Sequence, residues 1–197
     1  DNNTNIPDRT KAILGQGESP VNELVRSAKM LEKSGADFLI MPCNTAHYFI
    51  DQIKKNVEIP LINMPEEAAR YTCEKYGKDA VVGIMATDGT IKTKIYENYY
   101  NELGIKTLIP VRTQAHIMEF IYDVIKKGNY GAGPDLFFKC LEELKELGAN
   151  VFLLGCTELS AAQYLYKFEG SFINPMEVLA EKAILYAGGD LNKDGIN

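Results

Sequence analysis

Two of the four cysteines, Cys43 and Cys156, stand in matching surroundings. EKSGADFLIMPCNT ends at Thr45 and KELGANVFLLGCTE ends at Glu158, and each runs from a helical tail through Gly-Ala and an apolar stretch to a cysteine and two polar residues. A cysteine that closes a buried strand and opens a helix faces unpaired backbone N–H groups and the positive end of the helix dipole, which favour a thiolate. A free cysteine has a pKa of about 8.5, and each unit of depression corresponds to about 1.4 kcal/mol of preference for the anion, so modest local help is sufficient. Two such groups on opposite sides of one carbon could invert it, one thiolate removing the α-hydrogen while the opposing thiol delivers a proton. A hydrolase needs a nucleophile, a base and an orienting residue, and no such set declares itself. Cys73 and Cys140 lie in helical segments on apolar faces and read as structural.

The likeness of the two cysteine segments extends beyond them. Gly35 and Gly148 precede the cysteines by the same eight positions, while Asn63 in INMPEEAA and Asn174 in INPMEVLA follow them by twenty and eighteen. The chain thus reads as two copies offset by about 113 residues. On that offset the strand at 80–86 and its turn TDGT have no counterpart in the first half, which is expected to lack one βα unit, as in a shortened version of a longer chain.

The elements that position the cysteines alternate. Val21, Leu24, Val25, Ala28 and Leu31 recur at helical spacing and Gly35 supplies the stop, so 21–34 is a helix. Strands are expected at 36–42, 59–64, 80–86, 105–111, 149–155 and 171–174. Helices are expected at 45–55, 66–76, 91–103, 114–127, 134–147, 158–167 and 176–187. Strands separated by helices imply parallel sheets covered on both faces, with ligands at the carboxyl ends of the strands. The fold class is α/β, as two pseudo-symmetric three-layer αβα domains. The first takes in 1–76 with part of the C-terminal region; the second takes in 77–197.

Composition narrows the function classes. The chain has 197 residues, a net charge of −6 and no long Lys/Arg block, which leaves nucleic acid without an electrostatic footprint. No apolar run approaches the ~18 residues of a membrane helix and the first residues have no signal-peptide pattern, so a cytoplasmic protein with free thiols is expected. With two histidines and no CxxC pair, a structural zinc site has no support. His47 reads as a packing residue behind Cys43, and nothing ties His116 to the cleft. DLNKDG, from Asp190 to Gly195, has the start of a calcium loop without its position-12 carboxylate and reads as a solvated tail.

PCNTAH (Pro42 to His47) and GCTEL (Gly155 to Leu159), with IPDRT (Ile6 to Thr10), ATDGT (Ala86 to Thr90) and KKGN from Lys126, closely resemble the aspartate/glutamate racemase family, most of all its aspartate racemase branch. The resemblance implies racemisation of an acidic amino acid, L-aspartate to D-aspartate, by a thiol/thiolate pair with no metal and no other cofactor, in a homodimer. It makes Cys43 and Cys156 the acid/base groups. It makes Asn44, Thr45, Ala46, Thr157 and Glu158 the segments that hold the substrate's carboxylate and ammonium groups. Arg9 and Lys126 become cations beside the substrate's carboxylates, a role that suits a bidentate Arg. Thr87 and Thr90 become further carboxylate-binding groups, with Gly89 permitting close backbone approach. The competing readings are a broad-specificity racemase, a one-cysteine isomerase or decarboxylase of the same superfamily, and a catalytically silent amino-acid-binding protein.

Overall fold

VVGIMA and VFLLG contain no charged residue and can be covered on both faces, which suits the centre of a parallel sheet. In a computed structural model, which describes residues 1–191, they form β1 (Val81–Ala86) and β3 (Val151–Gly155), flanked by β2 (Lys106–Leu108) and β4 (Phe172–Ile173). The order is β2-β1-β3-β4, all parallel. Alternate side chains divide between two cores. Val82, Ile84, Val151 and Leu153 join one apolar cluster, and Met85, Phe152 and Leu154 join the other.

The helices, in chain order, are α1 (Arg9–Ile13), α2 (Val21–Lys33), α3 (Ile50–Lys54), α4 (Met64–Tyr76), α5 (Asp88–Thr93), α6 (Ile95–Glu102), α7 (Gln114–Glu119), α8 (Asp135–Glu146), α9 (Thr157–Tyr166) and α10 (Pro175–Tyr186). Tyr96 and Tyr100 of α6 pack on one face of the sheet, and Ile117 of α7 with Phe137 and Leu144 of α8 pack on the other. The result is a three-layer αβα arrangement. Among the described residues no helix is long and apolar enough to cross a membrane. The DLNKDG segment lies, beyond Leu191, outside the described residues.

The first half is less regular than its sequence suggests. The strands expected at 36–42 and 59–64 reduce to one parallel bridge, Leu39 to Leu61, with the Leu39 N–H donating to the Pro60 carbonyl at 2.7 Å and the Ile62 N–H donating to the Leu39 carbonyl at 3.0 Å. Pro42 and Pro60 have no N–H to extend this ladder, and among the described residues no strand flanks Leu39 on its other side. The repeat nonetheless survives in the register. Leu39 stands four residues before Cys43 and Leu61 two before Asn63; Phe152 and Phe172 hold the same places before Cys156 and Asn174, and they too are register partners.

Three expected helices also differ. The segment after Cys43 begins as a 3-10 turn, Thr45–Phe49, before α3. An α-helix would pair the Cys43 carbonyl with the backbone N–H of His47, but that carbonyl takes the His47 ring Nδ1 at 2.9 Å, and the His47 N–H turns to the Asn44 carbonyl at 3.1 Å. The helix expected at 91–103 starts at Asp88 and is divided at Lys94, which has a left-handed φ of 53°. The helix expected at 114–127 changes after Glu119 into a π-helix, Phe120–Ile125.

β1 and β3 approach closely where the site begins. A Cβ on Gly155 would lie 2.9 Å from the Ala86 Cβ and 3.0 Å from the Met85 carbonyl oxygen, both parts of the neighbouring strand that cannot swing aside. Gly155→Ala is expected to lower stability by about 1–3 kcal/mol, the usual cost of overpacking. Urea unfolding of the purified protein measures it, and an unchanged midpoint would show that the two strands can part without cost.

Candidate active site

The register pairs Ala86 with Gly155, so the next residues, Thr87 and Cys156, emerge side by side from the carboxyl ends of β1 and β3. From there the chain enters α5 and α9. Cys43 reaches the same place from the first half, and Thr157 donates a hydrogen bond across to the Pro42 carbonyl at 3.3 Å, which ties one cysteine segment to the other. Both cysteines line a single cavity of ≈ 240 Å³. Arg9, Asn44, Thr45, Thr87, Lys126, Thr157 and Glu158 line it with them, as do four residues that sequence reasoning did not single out: Asp8, Thr10, Pro42 and Tyr122.

Ala46 and Thr90, expected to contact substrate, do not line that cavity. Ala46 packs into the first-half core. Thr90 is fully buried and belongs to a knot of hydroxyls behind the wall: Thr45 lies 2.9 Å from Thr90, Thr87 lies 3.2 Å from both Thr45 and Thr90, and the Thr10 hydroxyl donates to Thr87 at 3.2 Å. Four oxygens from α1, the 3-10 turn, the end of β1 and the first turn of α5 thus bond to one another. Gly89 makes room for this knot: a Cβ there would fall 2.9 Å from the Thr10 Cα. The close approach that its small size permits is that of α1.

The charges around the two sulfurs differ. Cys156 is buried and its Sγ–H donates to Glu158 Oε2 at 2.9 Å. Burial first, and then the negative charge and hydrogen bond of Glu158, raise the Cys156 thiol well above its ordinary value. Glu158 in turn lies 3.7 Å from the Lys126 ammonium, which sits over the Tyr122 ring at 4.0 Å. Arg9 is the cation on the other side. Burial works to lower the Arg9 pKa, and the neighbouring Cys43, Asp8 and Glu158 outweigh it and raise the value. Lys127 points away, paired with Asp123 at 2.6 Å, so Lys126 alone of the two faces the site.

Lys126 is delivered by the π-helix. The Lys126 N–H bonds to the Ile121 carbonyl at 3.0 Å, an i→i−5 closure that brings Tyr122 beneath Lys126. The helix carrying this device is anchored by Glu143 of α8. Burial would raise the Glu143 pKa, but N–H donors from Val111, Arg112 and Thr113 and the Thr113 hydroxyl, all at 2.6–2.9 Å, bring it down to about 2. Cys140 beside it is buried and pushed up to about 12, an inert thiol. Among the described residues no three His, Cys, Asp or Glu side chains converge as metal ligands would.

A model of the Asp/Glu/Hydantoin racemase family matches residues 1–183. The chain belongs to that family. Among solved structures, the aspartate racemase of Picrophilus torridus superposes with a TM-score of 0.84 at 28% identity, over 98% of this chain and 80% of that one. The broad specificity amino-acid racemase RacX of Bacillus subtilis is 26% identical over 161 residues, 82% of this chain and 69% of RacX. A glutamate racemase of Lysinibacillus sphaericus is 28% identical over 143 residues, 69% of this chain and 51% of that enzyme. The chain therefore spans about half the length of the glutamate racemase and about two thirds of RacX.

In this member of the racemase family, His47 locks the loop beneath Cys43. Its Nε2 accepts the Met64 N–H at 3.2 Å, so Nδ1 carries the hydrogen given to the Cys43 carbonyl. Burial is the main cause that lowers the imidazole pKa, from 6.5 to about 4. The stability that comes with burying it neutral is fully present above pH 6.5 and is lost as pH falls from there towards about 4, some ~3 kcal/mol in all. Chemical denaturation at stepped pH checks this. His47→Gln is expected to flatten the slope across that window, and a variant with the wild-type slope would remove His47 as its source.

Proposed function

We propose that this chain interconverts the enantiomers of an acidic amino acid, aspartate foremost, with Cys43 and Cys156 as the two proton-transfer groups and no cofactor. The observation that carries the reading is that both sulfurs line one small cavity together with Arg9 and Lys126. One thiolate takes the α-hydrogen, leaving the electron pair delocalised into the substrate's α-carboxylate. The opposing thiol then gives its proton to the other face of the same carbon and becomes the thiolate. The charges suggest the resting order: Cys156, protonated against Glu158, is the acid, and Cys43, beside Arg9, is the base. The reverse reaction exchanges the roles, with Lys126 near enough to compensate a Cys156 anion.

Two carboxylates on the substrate match two cations at the wall. Arg9 can hold one with paired N–H donors, and Lys126 serves as a point charge for the other. Asp8 and Glu158 supply negative charge for the ammonium group. The resemblance to the Picrophilus aspartate racemase supports aspartate, while the match to RacX supports a wider substrate range as the second reading.

Incubation with L- or D-aspartate in deuterated solvent, followed by proton NMR, tests the chemistry. Both enantiomers should lose the α-hydrogen signal, and circular dichroism should decay to zero from either side. A protein that binds aspartate without exchange is a silent relative. Cys43→Ser and Cys156→Ser should each reduce racemisation by at least about a thousandfold, given that each removes an obligatory acid/base group. Full turnover in both directions by either variant is incompatible with two bases.

Substrate choice has its own measurement. Arg9→Leu and Lys126→Met should each raise KM for aspartate about tenfold or more, as expected when a charged hydrogen bond is lost; the variant that loses the partner of the side-chain carboxylate should largely spare alanine turnover, and the variant that loses the partner of the α-carboxylate should not. Equal losses for the two substrates in both variants would leave the side-chain carboxylate without a cation of its own.

A further inference from the structure

Behind the cavity wall lies a polar pair that neither acid/base chemistry nor packing explains. Asn44 follows Cys43 directly, is 2% exposed and lines the cavity. Its side-chain Oδ1 accepts a hydrogen bond from the hydroxyl of Tyr96, a residue of α6 that is wholly enclosed by the apolar cluster of Val82, Ile84, Ala86, Val151 and Leu153. The other end of the amide, Nδ2, is buried and has no hydrogen-bond partner in the protein. A buried amide with one end gripped and two donors idle is an uncommon arrangement, because an unmade buried hydrogen bond is costly.

We propose that Tyr96 is a positioning residue: its hydroxyl fixes the orientation of the Asn44 amide so that the two Nδ2 hydrogens are held ready for an anionic oxygen of the ligand in the cavity. This rests on the racemase reading of the site. An amide can rotate by half a turn and exchange donor for acceptor at almost no steric cost. In the wrong orientation Asn44 would present a carbonyl oxygen to a carboxylate and repel it. A hydroxyl whose hydrogen has no other acceptor opposes this: after the flip the Tyr96 oxygen could accept from the amide, but the Tyr96 hydrogen would be left without a partner among apolar side chains. Burial, with the nearby charges of Tyr100, Cys156 and Cys43, keeps Tyr96 protonated and therefore a donor throughout the cycle.

The same helix supplies a control. Tyr100, four residues on and equally enclosed, bonds to Thr72 at 2.9 Å and has no link to Asn44. Each Tyr→Phe change removes one oxygen from the same apolar cluster.

The experiment measures racemisation of both aspartate enantiomers, together with the side-chain ¹⁵N–¹H signals of Asn44, assigned by their disappearance in Asn44→Ala. Tyr96→Phe is expected to lower kcat/KM about tenfold, the worth of one oriented hydrogen bond, and to shift or broaden the Asn44 amide pair. Tyr100→Phe should change neither. In a double-mutant cycle, Tyr96→Phe added to Asn44→Ala should have no further effect on kcat/KM, because Tyr96 acts through Asn44. Additive losses, or an Asn44 amide signal unmoved by Tyr96→Phe, overturn the proposal. Should Tyr96→Phe fail to fold, Asn44→Asp decides: it retains the acceptor for Tyr96 and replaces the donors by an oxygen, so activity should be lost, and wild-type activity would overturn the assignment. A wild-type protein that exchanges no α-hydrogen defeats the racemase reading alone, since the amide signals still report on Tyr96.

Discussion

The site rests on a group of buried hydroxyls that bond to one another across three segments of the chain. Thr10, Thr45, Thr87 and Thr90 come from three separate segments, and without the segment that carries Thr87 and Thr90 the hydroxyls of Thr10 and Thr45 would lose their partners in this group. The knot therefore joins the first half of the chain to the carboxyl end of β1 at the floor of the cavity. Apolar packing holds each half together, but it is indifferent to small slips in position; directional bonds among four oxygens are not. The distance between Cys43 and Cys156 inherits its definition from this junction and from the Thr157 to Pro42 bond.

Around that fixed floor the two sulfurs occupy unlike electrostatic surroundings. Each half has a cysteine at the end of an equivalent apolar run, and Leu39 pairs with Leu61 as Phe152 pairs with Phe172. The neighbours have diverged. Cys156 is followed at two residues by Glu158, which accepts its hydrogen, whereas Thr45 occupies the matching place after Cys43 and Arg9 reaches in from α1. Two sulfurs in equivalent places of the chain thus have unlike neighbours.

Much of this was legible in the sequence, and the limits have physical causes. The central strands announce themselves as uncharged apolar runs, and the two cysteines by what precedes and follows them. Asp8, Thr10 and Tyr122 did not stand out, although IPDRT and the four-residue spacing of Tyr122 and Lys126 were available signals. The hydroxyl knot was invisible because Thr10 and Thr87 are 77 residues apart and nothing local distinguishes either. Tyr96 reads as one aromatic among several on an amphipathic helix. The strands at 36–42 and 59–64 were overestimated for the complementary reason: an apolar run records a wish for burial, while a ladder needs N–H groups on neighbouring segments, which Pro42 and Pro60 lack. The π-helix and the 3-10 turn follow from single bonds, at Lys126 and at the His47 ring, that no periodicity encodes.

The hydrogen that Cys156 lends to Glu158 has a consequence for the energetics of a racemase. Mirror-image amino acids have equal free energies in water, so the ratio of kcat/KM for the two directions must be unity whatever the protein does. An enzyme in which one sulfur is capped by a carboxylate and the other is not would be primed for one enantiomer and would rearrange protons before it meets the other. The imbalance can then surface only in kcat and KM taken singly, each offsetting the other, and the hand that turns over faster is obliged to saturate at the higher concentration.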